Sequence, residues 1–290
     1  MKKIIAAAVA TAFVAPAFAA DVTISGAGEV IMIDSNGSTS MQVDQVFTVG
    51  ASTELANGWT VSTDINMGAD DDGETGLYNE GGNSVTVAGP FGKIDIGDTS
   101  GAVDAIDDVA ESAKELGKGS GGNDAAVLWT LPSLAEGLTV NLSMNTDTNT
   151  ADSDVDSAGK ANGASVKYSV AGLTVGYGVN EYDSKVEEQI FNAQYSISGV
   201  GLSIEQLKDT AADATSTKTN NIGITYKTGD LFLGYENQEA KNSSGAVANE
   251  YNVITAQYSL GGGVTAYVET YEDTKTADSD KTAVGLEMKF

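Results

Sequence analysis

Polar and apolar positions alternate one by one along nearly the whole chain. In the last ten residues Thr282, Val284, Leu286, Met288 and Phe290 fall on one side, and Lys281, Ala283, Gly285, Glu287 and Lys289 on the other. An amphipathic helix repeats its apolar face every third and fourth residue, so a strict period of two predicts a strand with one apolar and one polar face. The same pattern runs through Trp59–Met67, Leu138–Met144, Val166–Val179, Phe191–Ile204, Ile222–Tyr235 and Ile254–Val268. Each run predicts a strand of about eight to ten residues, the length a tilted strand needs to cross a hydrocarbon layer.

The connections alternate as well. Short turns are predicted at Ala56–Gly58, Gly89–Gly92, Pro132–Gly137, Ala171–Gly172, Ser198–Gly201, Thr228–Asp230 and Gly261–Gly263. Between them lie longer polar segments, at 34–41, 69–83, 98–123, 146–162, 180–187, 209–218, 237–249 and 272–280. Seven short turns and eight long segments separate sixteen strands. An even strand count with short turns at one end and long loops at the other predicts an all-β transmembrane antiparallel barrel, closed so that no sheet edge meets lipid. A soluble sandwich also alternates, but it gives no such rhythm of loops.

Composition sharpens this picture at three points. Residues 1–20 read as a signal peptide: Lys2 and Lys3, a short apolar run from Ile4 to Val14, then Pro16 and the small-x-small pattern Ala17-Phe18-Ala19. The barrel domain is then 21–290, and loss of the two leader lysines takes the net charge from −26 to −28. That field repels nucleic acid. There is no histidine or cysteine, and all fifteen basic residues are lysine. Ser-His and Cys nucleophiles and ordinary zinc sites are thereby excluded, so the chain reads as no enzyme.

Three stretches resemble the Gram-negative general porin family. DVTISGAGEV is similar to the family's opening strand, SVTVAGPFGKIDIGD to the hairpin before its constriction loop, and NDAAVLWTLPSLAEGLTVNLSM to the segment after it. The chain ends, as family members do, in phenylalanine, and the resemblance implies that Phe290 is the signal read by the barrel-assembly machinery. It also implies a homotrimer set in outer-membrane lipid and lipopolysaccharide, with the third long loop folded into each lumen. The chain departs from the family in lacking every arginine of the wall opposite that loop, and in lacking the loop's Pro-Glu-Phe-Gly-Gly motif.

For a pore the chemistry is electrostatic. The predicted constriction loop carries Asp98, Asp104, Asp107, Asp108, Glu111 and Glu115 against Lys114 and Lys118, a net −4. Alternation places Glu29, Asp95, Glu205, Glu236, Glu269 and Glu287 on the lumen side, with Lys93, Lys167 and Lys289. The three lysines are expected to stand in for the missing arginines, as a softer wall than guanidinium would make. The expected function is a water-filled, cation-preferring channel for passive diffusion of small hydrophilic solutes. A substrate-specific channel and a non-conducting anchor or adhesin are the alternatives. No cofactor is expected, although the run Asp70, Asp71, Asp72 and Glu74, and the spaced Asp152, Asp154 and Asp156, have the oxygen density that suits Ca2+ or Mg2+. Tyr168, Tyr177, Tyr195, Tyr226, Tyr235, Tyr258 and Tyr267, with Trp59, are expected at or near the strand ends, where aromatic girdles mark the membrane interfaces.

Overall fold

The computed structural model describes residues 20–69, 78–79, 83–107, 109–110, 112–117, 124–145, 161–182, 187–211, 213–276 and 279–290. Their strands are β1 (Asp21–Ser35), β2 (Ser38–Glu54), β3 (Thr60–Ala69), β4 (Tyr78–Asn79), β5 (Ser84–Gly89), β6 (Gly92–Ser100), β7 (Asp124–Thr130), β8 (Leu138–Asn145) and β9 (Ala161–Val170). They continue as β10 (Leu173–Tyr182), β11 (Glu187–Ile197), β12 (Val200–Thr210), β13 (Ser216–Thr228), β14 (Leu231–Lys241), β15 (Val247–Gly261), β16 (Val264–Asp273) and β17 (Lys281–Lys289). β4 and β5 both pair with β3 and make one stave, so seventeen segments form sixteen staves. All pairings are antiparallel, and β1 pairs with both β2 and β17, which closes the barrel.

The faces are inverted relative to a water-soluble protein. On β12, Val200, Leu202, Ile204 and Gln206 are exposed, while Gly201, Ser203, Glu205 and Leu207 are buried. Ile254 is 58 % exposed and its neighbour Thr255 0 %; Glu236 and Glu269 are 0 % exposed. Apolar side chains therefore clothe the outside and polar ones the inside, as a hydrocarbon surround requires. Tyr168, Tyr177, Tyr195, Tyr226, Tyr235 and Tyr258 lie on the outer face. Tyr267 does not: it is 3 % exposed and points inward, in phase with Glu269 and Tyr271 rather than with Val268.

All seven predicted short turns are present. Ala171-Gly172 and Ser198-Gly199 are two-residue turns with both φ angles positive, the form that matches the twist of a hairpin. The outer connections are shorter than expected. Ser35 pairs with Ser38, so the segment 34–41 is a two-residue turn at Asn36-Gly37, again with both φ positive. β14 and β15 likewise run on to Lys241 and from Val247. Apolar alternation stops where the lipid stops, but the hydrogen-bonded ladder continues beyond it with polar side chains on both faces; β2 reaches 17 residues in this way.

The seam is completed by the last residue. Phe290 N–H donates to the Gly26 carbonyl and Gly26 N–H to the Phe290 carbonyl, both at 3.0 Å. Gly26 leaves room for the Phe290 ring, because a Cβ there would lie 2.8 Å from the ring's Cζ and from the Val46 carbonyl. Gly26→Leu is expected to weaken the closed barrel by about 1–3 kcal/mol through overpacking. Loss of the compact, unheated gel form at a lower temperature than for the parent protein would show it.

Candidate functional site

The segment between β6 and β7 turns into the barrel and runs along the inner wall. At its start Ala102 N–H donates to Ser143 Oγ on β8 at 2.9 Å. Val103 and Ile106 then pack with Ile190 of β11 and Leu207 of β12, and the Asn192 amide donates to the Ile106 carbonyl. These contacts bury Ala102, Val103, Ile106 and Ala110 almost completely. Strand glycines make space for the passage: a Cβ at Gly223 would collide with the Ala110 carbonyl, one at Gly234 would lie 2.6 Å from Ser112 Cβ, and one at Gly178 3.1 Å from Val103.

Three wall carboxylates then take the loop's backbone. Glu205 on β12 accepts from Val109 N–H at 3.3 Å. Glu236 on β14 accepts from Ser112 N–H at 3.0 Å and Ala113 N–H at 3.5 Å. Glu269 on β16 accepts from Lys114 N–H, from Glu115 N–H at 2.8 Å and from Leu116 N–H at 3.0 Å. A loop inside a barrel has no strand partner for its amides, and a buried amide without an acceptor is costly. Charged acceptors on every second strand supply that need. Leu116 is finally seated among Ile31, Tyr251, Val253, Tyr267, Tyr271 and Ala283.

Lys114 ties the loop across to the seam. Its ammonium donates to Glu29 on β1 at 2.8 Å and lies 3.3 Å from Glu287 on β17 and 3.6 Å from Glu115. It also sits 4.9 Å from the Tyr267 ring centre. Burial disfavours the ammonium, but the bond to Glu29 and the charge of Glu287 outweigh it and hold the Lys114 pKa above the usual lysine value. The Glu115 pKa also rises, which for a carboxylate disfavours the charged form. Burial first, then repulsion by Glu29, pushes it up to about 7, only partly offset by Lys114.

The sequence-predicted residues are thus distributed as follows. Lys114, Glu115 and Glu287 come together in one cluster with Glu29. Asp104 and Asp107 are half-buried on the loop. Asp98 is part of β6, where its N–H donates to the Asn83 carbonyl at 3.0 Å. Lys93 pairs with Asp95 of its own strand at 2.8 Å, and Asp95 also accepts from the Thr86 hydroxyl. Lys289 pairs with Glu287 of its own strand at 3.0 Å. Lys167 is half-buried on the inner face of β9. The lysine that bridges loop and wall is therefore Lys114, reaching from the loop. Asp108, Glu111, Lys118, the acidic run from Asp70 to Glu74, and Asp152, Asp154 and Asp156 lie outside the described residues, as does most of the predicted leader.

A closed sixteen-stave barrel with a loop fastened inside it is a channel architecture. The family model described as Gram-negative porin matches residues 6–279. The chain belongs to that family. No curated protein matches the chain in sequence. Among solved structures, Salmonella typhi OmpF in complex with daunomycin has a TM-score of 0.79 at 13 % identity, covering 93 % of this chain and 97 % of that one. A mutant porin of Rh. blastica gives 0.76 at 14 % identity over 93 % and 100 % of the two chains. An anion-selective porin from Comamonas acidovorans gives 0.72 at 15 % identity, again over 93 % and 100 %. At these identities the likeness is one of fold.

As a porin, the protein is an outer-membrane channel of a Gram-negative bacterium. The part of this porin that sequence inspection did not single out is the clamp of Glu205, Glu236 and Glu269. Each directly follows the last outward apolar residue of its run (Ile204, Tyr235 and Val268), on the lumen side, in three strands that point the same way. That recurrence was the available signal.

Proposed function

We propose that this porin is a water-filled channel for passive diffusion of small hydrophilic solutes and ions, with a preference for cations. The supporting observation is the charge inventory of the lumen. Among the described residues, Asp95, Asp104, Asp107, Glu115, Glu29 and Glu287 lie along the loop and the inner wall. Against these six stand Lys93, Lys114 and Lys289, which each pair with one or more of those carboxylates, and Lys167 on the inner face of β9. The uncompensated charge is negative, and a narrow lumen with low-dielectric walls concentrates the counter-ion of its lining. The fold itself leaves the sign open, since one structural relative is an anion-selective porin.

On this reading the chain is exported behind residues 1–20, is recognised for assembly through Phe290, and works as a trimer among lipid and lipopolysaccharide. The test is reconstitution in a planar bilayer under a potassium chloride gradient at pH 8. Stepwise conductance with a reversal potential on the potassium side is expected. Chloride preference would overturn the electrostatic reading, and folded protein without conductance would favour an anchor or adhesin.

A further inference from the structure

Three carboxylates share one ammonium where the inner loop meets the barrel seam. Glu29 on β1 and Glu287 on β17 approach Lys114 Nζ at 2.8 and 3.3 Å, and Glu115, its loop neighbour, at 3.6 Å. Glu269 of β16 stands beside them but is occupied by backbone donors and the Thr255 hydroxyl. Lys289 also faces Glu287, at 3.0 Å, from an exposed position. The buried Tyr267 lies under Lys114 and turns its hydroxyl toward Glu29. The two wall carboxylates hold the ammonium at the shorter distances, so Glu115 is the member left with the least compensation. It is also the most exposed of the three, at 25 % of its side chain against 13 % for each of the others, and so the one a passing ion meets.

We propose that Glu115 is a selectivity-determining residue of this channel, and that a proton from the lumen switches its charge. This rests on the cation-preferring reading above and adds the residue and its control. Geometry supplies the reason: with Glu29 and Glu287 on Lys114, an ionised Glu115 adds an excess negative charge to a half-buried cluster. Protonation removes that excess without breaking the loop's attachment, because the Glu115 N–H remains on Glu269. The placement of Glu115 near neutrality accords with this. The charge is present above about pH 7 and lost below it, so cation preference falls as pH falls through neutrality. Ordinary carboxylates titrate well below that window.

The test is the cation-to-anion permeability ratio of the full-length porin in a planar bilayer, measured from pH 8.5 to pH 5.5. The wild-type ratio is expected to fall by about two- to three-fold with a midpoint near 7, the factor that one unit charge about 6 Å from an ion's path produces in water with salt. Glu115→Gln should hold the low ratio throughout and show no midpoint in that range. Glu29→Gln should move the midpoint to lower pH, because Glu115 then gains Lys114 and loses its main repelling neighbour. A wild-type ratio that is flat with pH, or an unshifted midpoint in Glu29→Gln, would overturn the proposal. Anion preference at pH 8.5 that still changes near neutrality would sink the cation-preferring reading while leaving the switch at Glu115 in place.

Discussion

Replacing Glu269 with alanine is expected to free the second half of the inner loop while leaving the barrel intact. The substitution removes the acceptor of three consecutive backbone amides, those of Lys114, Glu115 and Leu116. A hydrogen bond to a charged group is worth about 1.5–3 kcal/mol, and the bonds do not add fully because freed amides can reach lumen water. The loop's docking is expected to weaken by about 3–5 kcal/mol. No ladder hydrogen bond uses the side chain, so heat resistance of the barrel should change little. Single-channel traces should become noisy, and added protease should cut between Gly101 and Gly117. The clamp also predicts an order. Glu236 holds two amides and Glu205 one, the latter at 3.3 Å, so Glu236→Ala should have a smaller effect and Glu205→Ala the smallest. Equal effects at the three sites would show that the loop is held by its apolar contacts instead.

Placing arginine at Ile204 is the second large effect. Ile204 is 50 % exposed, and in a protein surrounded by water a charge at such a site would be nearly neutral. Here the exposed side faces lipid, and arginine near the middle of the bilayer costs about 2–4 kcal/mol in an outer-membrane barrel. Chemical unfolding in lipid vesicles should show that loss. Lys167→Gln, on the inner face of β9, should leave stability within about 0.5 kcal/mol. Unchanged stability of Ile204→Arg would contradict the assignment of faces.

Those faces were legible in the sequence because a period of two admits one strand face at a time. The strand ends were not. Asp34, Thr39 and Ser40 carry no apolar signal, yet they sit in an unbroken ladder, since backbone pairing needs no apolar side chain once the strand leaves the lipid. Tyr267 shows a different failure. Its parity with Glu269 and Tyr271 places it inside, but its residue type suggested the membrane interface; inside, it covers Gly285 and supports Lys114. The course of the inner loop was read from resemblance alone. Its fastening was out of reach, because the pairing of Leu116 with Glu269 joins a backbone group to a side chain far along the chain and leaves no local pattern. The direction of the lysine bridge failed for a related reason: sequence gives the sign of a charge but not which partner it reaches.

The seam also bears on how such a chain comes to be folded. Ala27 pairs with Lys289, and Gly26 with Phe290, so the earliest and the latest strands are neighbours. Contacts of that separation form slowly, since the entropy of joining the two ends is lost before any bond repays it. Until β17 is in place, β1 has no second partner, and a bare strand edge invites pairing with other chains. The chain must therefore be kept apart from its own kind until β1 and β17 have met. Loss of Phe290 would remove from that closure both of the hydrogen bonds it makes with Gly26.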